Sequence, residues 1–179
     1  RDQYLAESVA QVDRVAAMVN DVLRSGSVAE QALRQEKRLR VDTLITEVVA
    51  DYTLLAKTRG MTFAVNTQPV TIYANRDMMR HVISNLVSNA VRHSDAGSVI
   101  TITCDEHELA IENVCQPLTT QQLQHAFDPF YRSNTTTKQH ADSSGIGLYT
   151  VKMLLDAKGL DYSFAPHGQG MRFVVRLAS

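Results

Sequence analysis

The sequence predicts an α+β protein, a two-layer sandwich in which helices cover one face of a sheet, preceded by a separate N-terminal helix. Several segments carry apolar residues at steps of three and four, which is typical of helices buried along one side. Shorter runs alternate apolar and polar residues, as half-buried strands do. The order is helix, then mixed strands and helices, then a terminal hairpin, and this order favours a two-layer arrangement.

Length and composition restrict the classes of function. The chain has 179 residues and 44% hydrophobic residues, enough for one domain with an appendage. Its net charge of −1 provides no basic field, so nucleic acid is not expected as a partner. Cys104 and Cys115 have no metal-ligand spacing and fit a reducing, cytosolic setting. No signal peptide opens the chain and no apolar run approaches the ~20 residues of a membrane span. The start within a helical pattern indicates a fragment of a longer protein.

Residues 1–27 are predicted to be a separate first segment, in which residues 2–24 form the N-terminal helix. A heptad seam is formed by Leu5, Val9, Val12, Ala16, Val19 and Leu23. So short a seam with β-branched residues does not stabilise an isolated helix, which therefore needs a partner. A bundle within a dimer is favoured over docking on the rest of the chain, because a narrow seam suits helix pairing. Residues 28–35 are charged and are predicted to form a linker.

The remaining residues, 36–179, are predicted to form the sandwich. Strands are expected at 38–41, 61–66, 70–73, 99–103, 109–113, 160–165 and 171–177. One helix is expected from an N-cap at Asp42 to about Arg59, where Gly60 ends it. A second runs over 77–94 with Asn75 or Asp77 as its cap, and a third begins near Gly145 and ends near Lys158.

The second of these helices carries an unusual polar row. Asn85 and Asn89 are four residues apart and Arg92 follows three later, so all three share a face. Asn is a poor helix former, so two Asn residues beside a cation on one helix face are unusual. One interpretation is a solvated face. The other is a site in which an amide oxygen ligates a hard cation and Arg meets phosphate.

A second candidate region follows the predicted hairpin. Residues 114–144 are rich in Thr and Gln and lack a clear period, which is typical of a functional lid or a disordered linker. The lid's one apolar cluster is Phe127-Asp128-Pro129-Phe130-Tyr131. Gly145-Ile146-Gly147 then opens a helix, where glycines allow close backbone approach and free N–H groups favour phosphate.

Together these motifs resemble the catalytic and ATP-binding domain of sensor histidine kinases, the two-component branch of the GHKL ATPase superfamily. Residues 85–93 look like the family's N box, 127–132 like its F box, and 144–148 like its G2 box. The turn at 168–170 fits its late glycine motif, and residues 2–24 are similar to the second helix of the dimerisation and phosphotransfer hairpin. The resemblance implies the Bergerat, histidine-kinase-like ATPase fold.

The resemblance also implies roles for individual residues. Asn89 would ligate Mg²⁺, Asn85 would line the phosphate side, and Arg92 stands where the family often has a phosphate-binding Lys. His93 stands where an aromatic ring often stacks on adenine, and Arg132 would approach the terminal phosphate. The G2-box residues that would follow the phosphates are Gly145, Ile146, Gly147 and Leu148.

Some of these residues have simpler interpretations. His93 is also favourable as a surface residue at a helix end. Arg132 is also explained as a solvated charge of the lid. Phe127, Phe130 and Tyr131 are predicted to anchor the lid on the core rather than to contact nucleotide, because aromatic residues are usually buried.

The chain departs from the family pattern in two places. In the G1 box, Asn113 occupies the place of the Asp that accepts a hydrogen bond from the adenine amino group, and Cys115 and Pro117 replace glycines. An amide oxygen still accepts one such bond but lacks the carboxylate's charge. No His is followed by the Glu/Asp-Leu-Arg-Thr-Pro-like run that follows a phosphoacceptor His in the family. No catalytic residue is therefore expected within the chain, and the acceptor His is expected upstream.

The resemblance implies a histidine kinase that uses ATP and Mg²⁺ and passes phosphate through a His to an Asp of a response regulator receiver domain. The implied parent is a homodimer through the N-terminal helix and is membrane-anchored, with this part in the cytoplasm. One alternative is a gyrase- or chaperone-type ATPase, but those carry a Glu base where this chain has Asn85. The other is a non-catalytic, nucleotide-poor interaction module of the same fold.

Overall fold

The computed structural model describes residues 34–131 and 145–177, and their elements follow the predicted order. The helices in these ranges are α1 (Val41–Thr58), α2 (Arg76–His93), α3 (Thr120–His125) and α4 (Gly147–Lys158). None of these helices is both long and apolar enough to cross a membrane. The strands are β1 (Lys37–Arg40), β2 (Thr62–Thr67), β3 (Thr71–Ala74), β4 (Val99–Cys104), β5 (Glu108–Val114), β6 (Tyr162–His167) and β7 (Gly170–Arg176). The predicted helix over 2–24, most of the predicted linker, and Arg132 lie outside the described residues.

Five strands form one sheet in the order β2-β4-β5-β7-β6, and β1 pairs with β3 in a separate two-stranded sheet. The β2–β4 pair is parallel, whereas the other neighbours in the larger sheet are antiparallel. Ile102, Ile111 and Phe173 lie in register across β4, β5 and β7, and all three are buried. This inner face packs against helices, and the predicted two-layer α+β sandwich is confirmed.

Helix α2 is the centre of the helical layer because its apolar stripe is buried along its whole length. The stripe consists of Met78, Met79, Val82, Ile83, Leu86, Val87, Ala90 and Val91. Asn75 caps the helix by accepting a hydrogen bond from the Met78 N–H at 3.0 Å. On one side α2 meets α1, where Tyr52 Oη and Ser84 Oγ are 2.9 Å apart. On its other side it packs against α4.

The N-cap prediction for Asp42 is wrong. Helix α1 starts two residues earlier than predicted, with Arg40 at the N-cap position and no side-chain hydrogen bond there. The Asp42 carboxylate instead accepts hydrogen bonds from Arg40 Nε at 2.8 Å and Nη2 at 2.6 Å. It also accepts from the Val70 N–H at 3.2 Å, so it joins the start of α1 to the approach to β3. The Arg40 hydrogen bond is the main reason that the pKa of Asp42 falls to about 2.

The predicted lid is more ordered at its start than its sequence suggests. Helix α3 begins with a capping box, in which Thr119 and Gln122 each accept a backbone hydrogen bond from the other. Phe127 follows and packs among other aromatic rings in the core, as predicted. Phe130 does not: it is 49% exposed, so its prediction as a core anchor is wrong. The Tyr131 ring lies 5.6 Å from that of His125.

Candidate functional site

The polar row of α2 lies at the edge of its buried stripe. Asn85, Asn89 and Arg92 are half-buried and share one side of the helix, as the spacing predicts. Arg92 and His93 occupy the last turn, where cations interact favourably with the helix dipole, and His93 is exposed. The helix therefore presents two amides and a cation together along one edge of the core.

The Asn85 side chain is oriented by its own helix. Its Nδ2 donates a hydrogen bond to the main-chain oxygen of His81 at 2.9 Å. The amide oxygen is turned the other way, towards α4: a Cβ atom on Gly147 would stand 3.3 Å from Asn85 Oδ1. A side-chain carbon would fit here only if Asn85 or α4 shifted by a few tenths of an ångström, so the amide row of α2 directly faces the first residue of α4.

The start of α4 supplies hydrogen-bond donors. Its N-cap residue, Ile146, makes no side-chain cap, so the first N–H groups of the helix have no side-chain acceptor there. The Ile146 side chain is itself 1% exposed, so only its main chain is available to a ligand. Leu148 packs on the core. N–H groups that no N-cap side chain binds, together with the positive end of the helix dipole, make this terminus suitable for an anion.

Gly145 contacts Phe130, which belongs to the predicted lid. Its main-chain oxygen accepts a hydrogen bond from the Phe130 N–H at 2.9 Å. A Cβ atom on Gly145 would stand 3.0 Å from the Phe130 main chain, and Gly145 has a φ of +73°. Both the close approach and the left-handed backbone require glycine here. The Phe130 main chain is therefore held next to the start of α4.

The end of β5 lies beside the end of α2. The Asp95 N–H, two residues beyond His93, donates to the Val114 oxygen at 2.8 Å. Asn113, the residue before Val114, is half-buried, and its Nδ2 atom is buried with no hydrogen-bond partner among the described residues. A buried amide without a partner is rare, because it costs about 1–3 kcal/mol to leave one unpaired. A ligand with a complementary polar edge would remove that cost.

Gly170 fixes the main chain of Asn113. The two strands run so close that a Cβ atom on Gly170 would stand only 1.8 Å from the Asn113 oxygen. The glycine turn is predictable from the sequence, but this contact is not, because the alternation of residues along β7 does not show which strand pairs with it. The orienting role of His81 was also missed, although its position four residues before Asn85 is a usable signal.

The structure thus brings most of the predicted site residues into one region. Asn85 faces Gly147, which directly follows Gly145 and Ile146 in the chain. The end of α2 meets the end of β5. Arg132 lies outside the described residues. The region combines amide oxygens, a cation, helix N–H groups and the Asn113 amide nitrogen, which has no hydrogen-bond partner in the described part of the chain. These groups fit a metal–nucleotide complex.

Comparison with known proteins identifies the family. Residues 74–179 match the family model described as histidine kinase-, DNA gyrase B-, and HSP90-like ATPase. The chain is 33% identical over 176 residues to sensor histidine protein kinase HK06 of Streptococcus pneumoniae, covering 98% of this chain and 39% of that protein. It is 28% identical over 181 residues to sensor histidine kinase CusS of Escherichia coli, covering 98% of this chain and 38% of that protein.

A solved structure of histidine kinase ThkA in complex with response regulator protein TrrA has the same fold. Its TM-score is 0.70 at 18% identity, and the match covers 94% of this chain and 48% of that one. This chain spans about two fifths of the length of the curated relatives named above. The family model alone covers more than half of the present sequence. The chain therefore belongs to the histidine kinase-, DNA gyrase B-, and HSP90-like ATPases.

Proposed function

We propose that this chain binds Mg-ATP between α2, the end of β5 and the start of α4, and transfers the γ-phosphoryl group to a histidine imidazole. The products would be ADP and a phosphohistidine, formed as the bond from the γ-phosphorus to the β–γ bridging oxygen breaks and a nitrogen–phosphorus bond forms. The observation that carries the proposal is the contact of the Asn85 oxygen with Gly147, which sets an amide row against an uncapped helix N-terminus. The names of the relatives support the same activity.

The residues present fit both groups. Asn89 has a half-buried amide whose oxygen is a suitable hard ligand for Mg²⁺, which usually takes few protein ligands and shares substrate phosphates. When bound, Mg²⁺ would supply charge neutralisation to the phosphates. Arg92 and the N–H groups from Gly147 onwards would hold the phosphate oxygens, and Asn113 would read the base. Arg132 would approach the terminal phosphate. The work of the chain is then positioning and electrostatic stabilisation.

We place the acceptor His on a helix that precedes residue 1 in the parent protein. The helix expected over residues 2–24 would pair in a homodimer and bring that His to the site. The next step would pass the phosphoryl group to an Asp of a response regulator receiver domain, and the ThkA complex with TrrA supports a partner of this class. The parent would be membrane-anchored, with this domain in the cytoplasm.

A non-catalytic, nucleotide-poor module of the same fold is the second candidate. It is favoured by one observation: Asn113, Cys115 and Pro117 stand where the family pattern has Asp and two glycines. A gyrase- or chaperone-type hydrolase is less favoured, because Asn85 cannot act as a general base for water.

Labelling with γ-³²P-ATP tests the proposal. The chain alone should bind Mg-ATP without becoming labelled, and it should label a parent protein whose own catalytic domain has been inactivated. Acid-labile label on the 179-residue chain itself would contradict the position of the acceptor. If calorimetry detects no binding of Mg-ATP and the parent stays unlabelled, the interaction module is the better account.

A further inference from the structure

Asn113 differs from an Asp at the same position in the hydrogen bonds that it can make to a nucleotide base. An Asp at this position offers only acceptors, whereas Asn offers one acceptor and one donor. In the structure the donor atom, Nδ2, is buried and has no partner among the described residues. The Cys115 side chain interacts with this amide, but a thiol is too weak a partner to fix which end of the amide faces a ligand.

Neighbouring residues fix the main chain of Asn113 but leave its side-chain amide weakly oriented. Asn113 lies opposite Met171 in the β5–β7 ladder, and Gly170 packs directly on its main-chain oxygen. The amide interacts with the thiol of Cys115, whose pKa is raised chiefly by burial, while the Asn113 side chain acts to lower it. A thiol is a weak donor and a weak acceptor, so it accommodates either atom of the amide. Rotation of the amide about its last torsion is then the only adjustment needed to exchange its oxygen and nitrogen.

The two purine classes present opposite edges to such an amide. A 6-aminopurine offers an amino donor beside the N1 acceptor, and a 6-oxopurine offers a carbonyl acceptor beside the N1–H donor. An amide complements the first edge in one orientation and the second edge after a half-turn. A carboxylate complements only the amino group of the first, and it repels the carbonyl oxygen of the second.

We propose that Asn113 makes the base site accept 6-oxopurine triphosphates as well as ATP. This inference rests on the proposed function, because it assumes that the nucleotide base lies against Asn113. The ligand class is thus a purine nucleoside triphosphate with either an amino or an oxo group at position 6.

Titration with inosine triphosphate tests the proposal, because this nucleotide differs from ATP only at the edge in question. The unmodified chain should bind Mg-ITP within about tenfold of its affinity for Mg-ATP, since neither edge leaves a buried group unpaired. In Asn113→Asp the preference for ATP should widen by at least about tenfold. Asn66→Asp makes the same chemical change on the exposed edge strand β2 and should leave the preference unaltered.

The outcomes separate the two proposals. Binding of ATP with ITP weaker by more than about tenfold overturns dual reading and leaves the proposed function standing. An unchanged preference for ATP over ITP in a folded Asn113→Asp variant shows that Asn113 does not read the base edge. That result also overturns dual reading. If that variant fails to fold, the titrations of the unmodified chain decide alone. Failure of both nucleotides to bind overturns the proposed function and this inference together.

Discussion

The amide oxygen of Asn85 lies 3.3 Å from the point where a Cβ atom on Gly147 would stand. The two residues belong to helices α2 and α4, and their contact sets the distance between the amide row and the N-terminus of α4. Because Gly147 has no side chain, the first turn of α4 approaches α2 closely at this point. The phosphate end of the proposed site depends on this one contact.

Replacing Gly147 with Ala should weaken nucleotide binding without lowering the stability of the folded chain. The added methyl group would push Asn85 or the start of α4 aside by a few tenths of an ångström. We expect affinity for Mg-ATP to fall by about tenfold, since roughly one well-placed hydrogen bond is lost. Stability should be unchanged or rise by up to about 1 kcal/mol, because Ala is a better helix former than Gly. Calorimetric titration and urea unfolding measure the two effects.

Gly159→Ala is the matched control at the other end of α4. Gly159 has a φ of +76° and no atom within 4 Å of an added Cβ. Its replacement should cost about 1–2 kcal/mol of stability through backbone strain and leave nucleotide affinity unaltered. Equal affinities of the Gly147→Ala variant and the unmodified chain would show that this contact does not shape the site.

Phe127 and Phe130 should differ sharply in what they contribute to folding. The Phe127 ring centroid lies 5.6 Å from Tyr162, 6.3 Å from Phe164 and 6.2 Å from Phe173, within one aromatic cluster. Phe130 is 49% exposed. We expect Phe127→Ala to lower the free energy of unfolding by about 2–4 kcal/mol and Phe130→Ala by less than about 1 kcal/mol. Urea unfolding of both variants checks the prediction, and similar losses would refute the assignment of Phe127 as the lid's anchor.

The Asp42 carboxylate should make stability depend on pH in the acid range. The Arg40 hydrogen bond lowers the pKa of Asp42 to about 2, below the value of about 3.9 expected in the unfolded chain. A lowered native pKa stabilises the folded state above the unfolded pKa, and this contribution is lost as pH falls from about 4 towards 2. Because Arg40 is 54% exposed and solvent screens the pair, we expect only about 1–2 kcal/mol.

The measurement compares Asp42→Asn with the unmodified chain by urea unfolding at several pH values. The loss of stability should be full at pH 7 and shrink towards pH 2. Glu106→Gln is the control, because the Glu106 side chain is 81% exposed. A loss that is the same at pH 7 and pH 2 would exclude ionised Asp42 as its cause.

Elements with a regular period of apolar residues were the most predictable from the sequence. Helix α2 was predicted over 77–94 and spans Arg76–His93, because its buried stripe is continuous and Asn75 is a strong cap. The parallel pairing of β2 with β4 was not predicted, since alternation along a strand does not identify its neighbour. The short helix α3 was missed because its six residues include no buried one.

Predictions for individual side chains failed where a competing partner decided the outcome. Asp42 has the composition of an N-cap, but the neighbouring guanidinium of Arg40 and the Val70 N–H bind its carboxylate instead. Asn85 and Asn89 were placed on the correct face by spacing alone. Their relation to Gly147 depends on the packing of α2 against α4, which no local pattern contains.

Titration of Asn89→Ala with ATP, in the presence and absence of Mg²⁺, tests the central claim most directly. If the Asn89 oxygen ligates the ion, the unmodified chain should bind ATP more tightly with Mg²⁺, and the variant should lose that dependence while its circular dichroism stays the same. Asn66→Ala, on the exposed edge strand β2, should behave as the unmodified chain does. A folded Asn89→Ala variant that binds Mg-ATP as before would contradict the assignment and identify Asn89 as a surface amide.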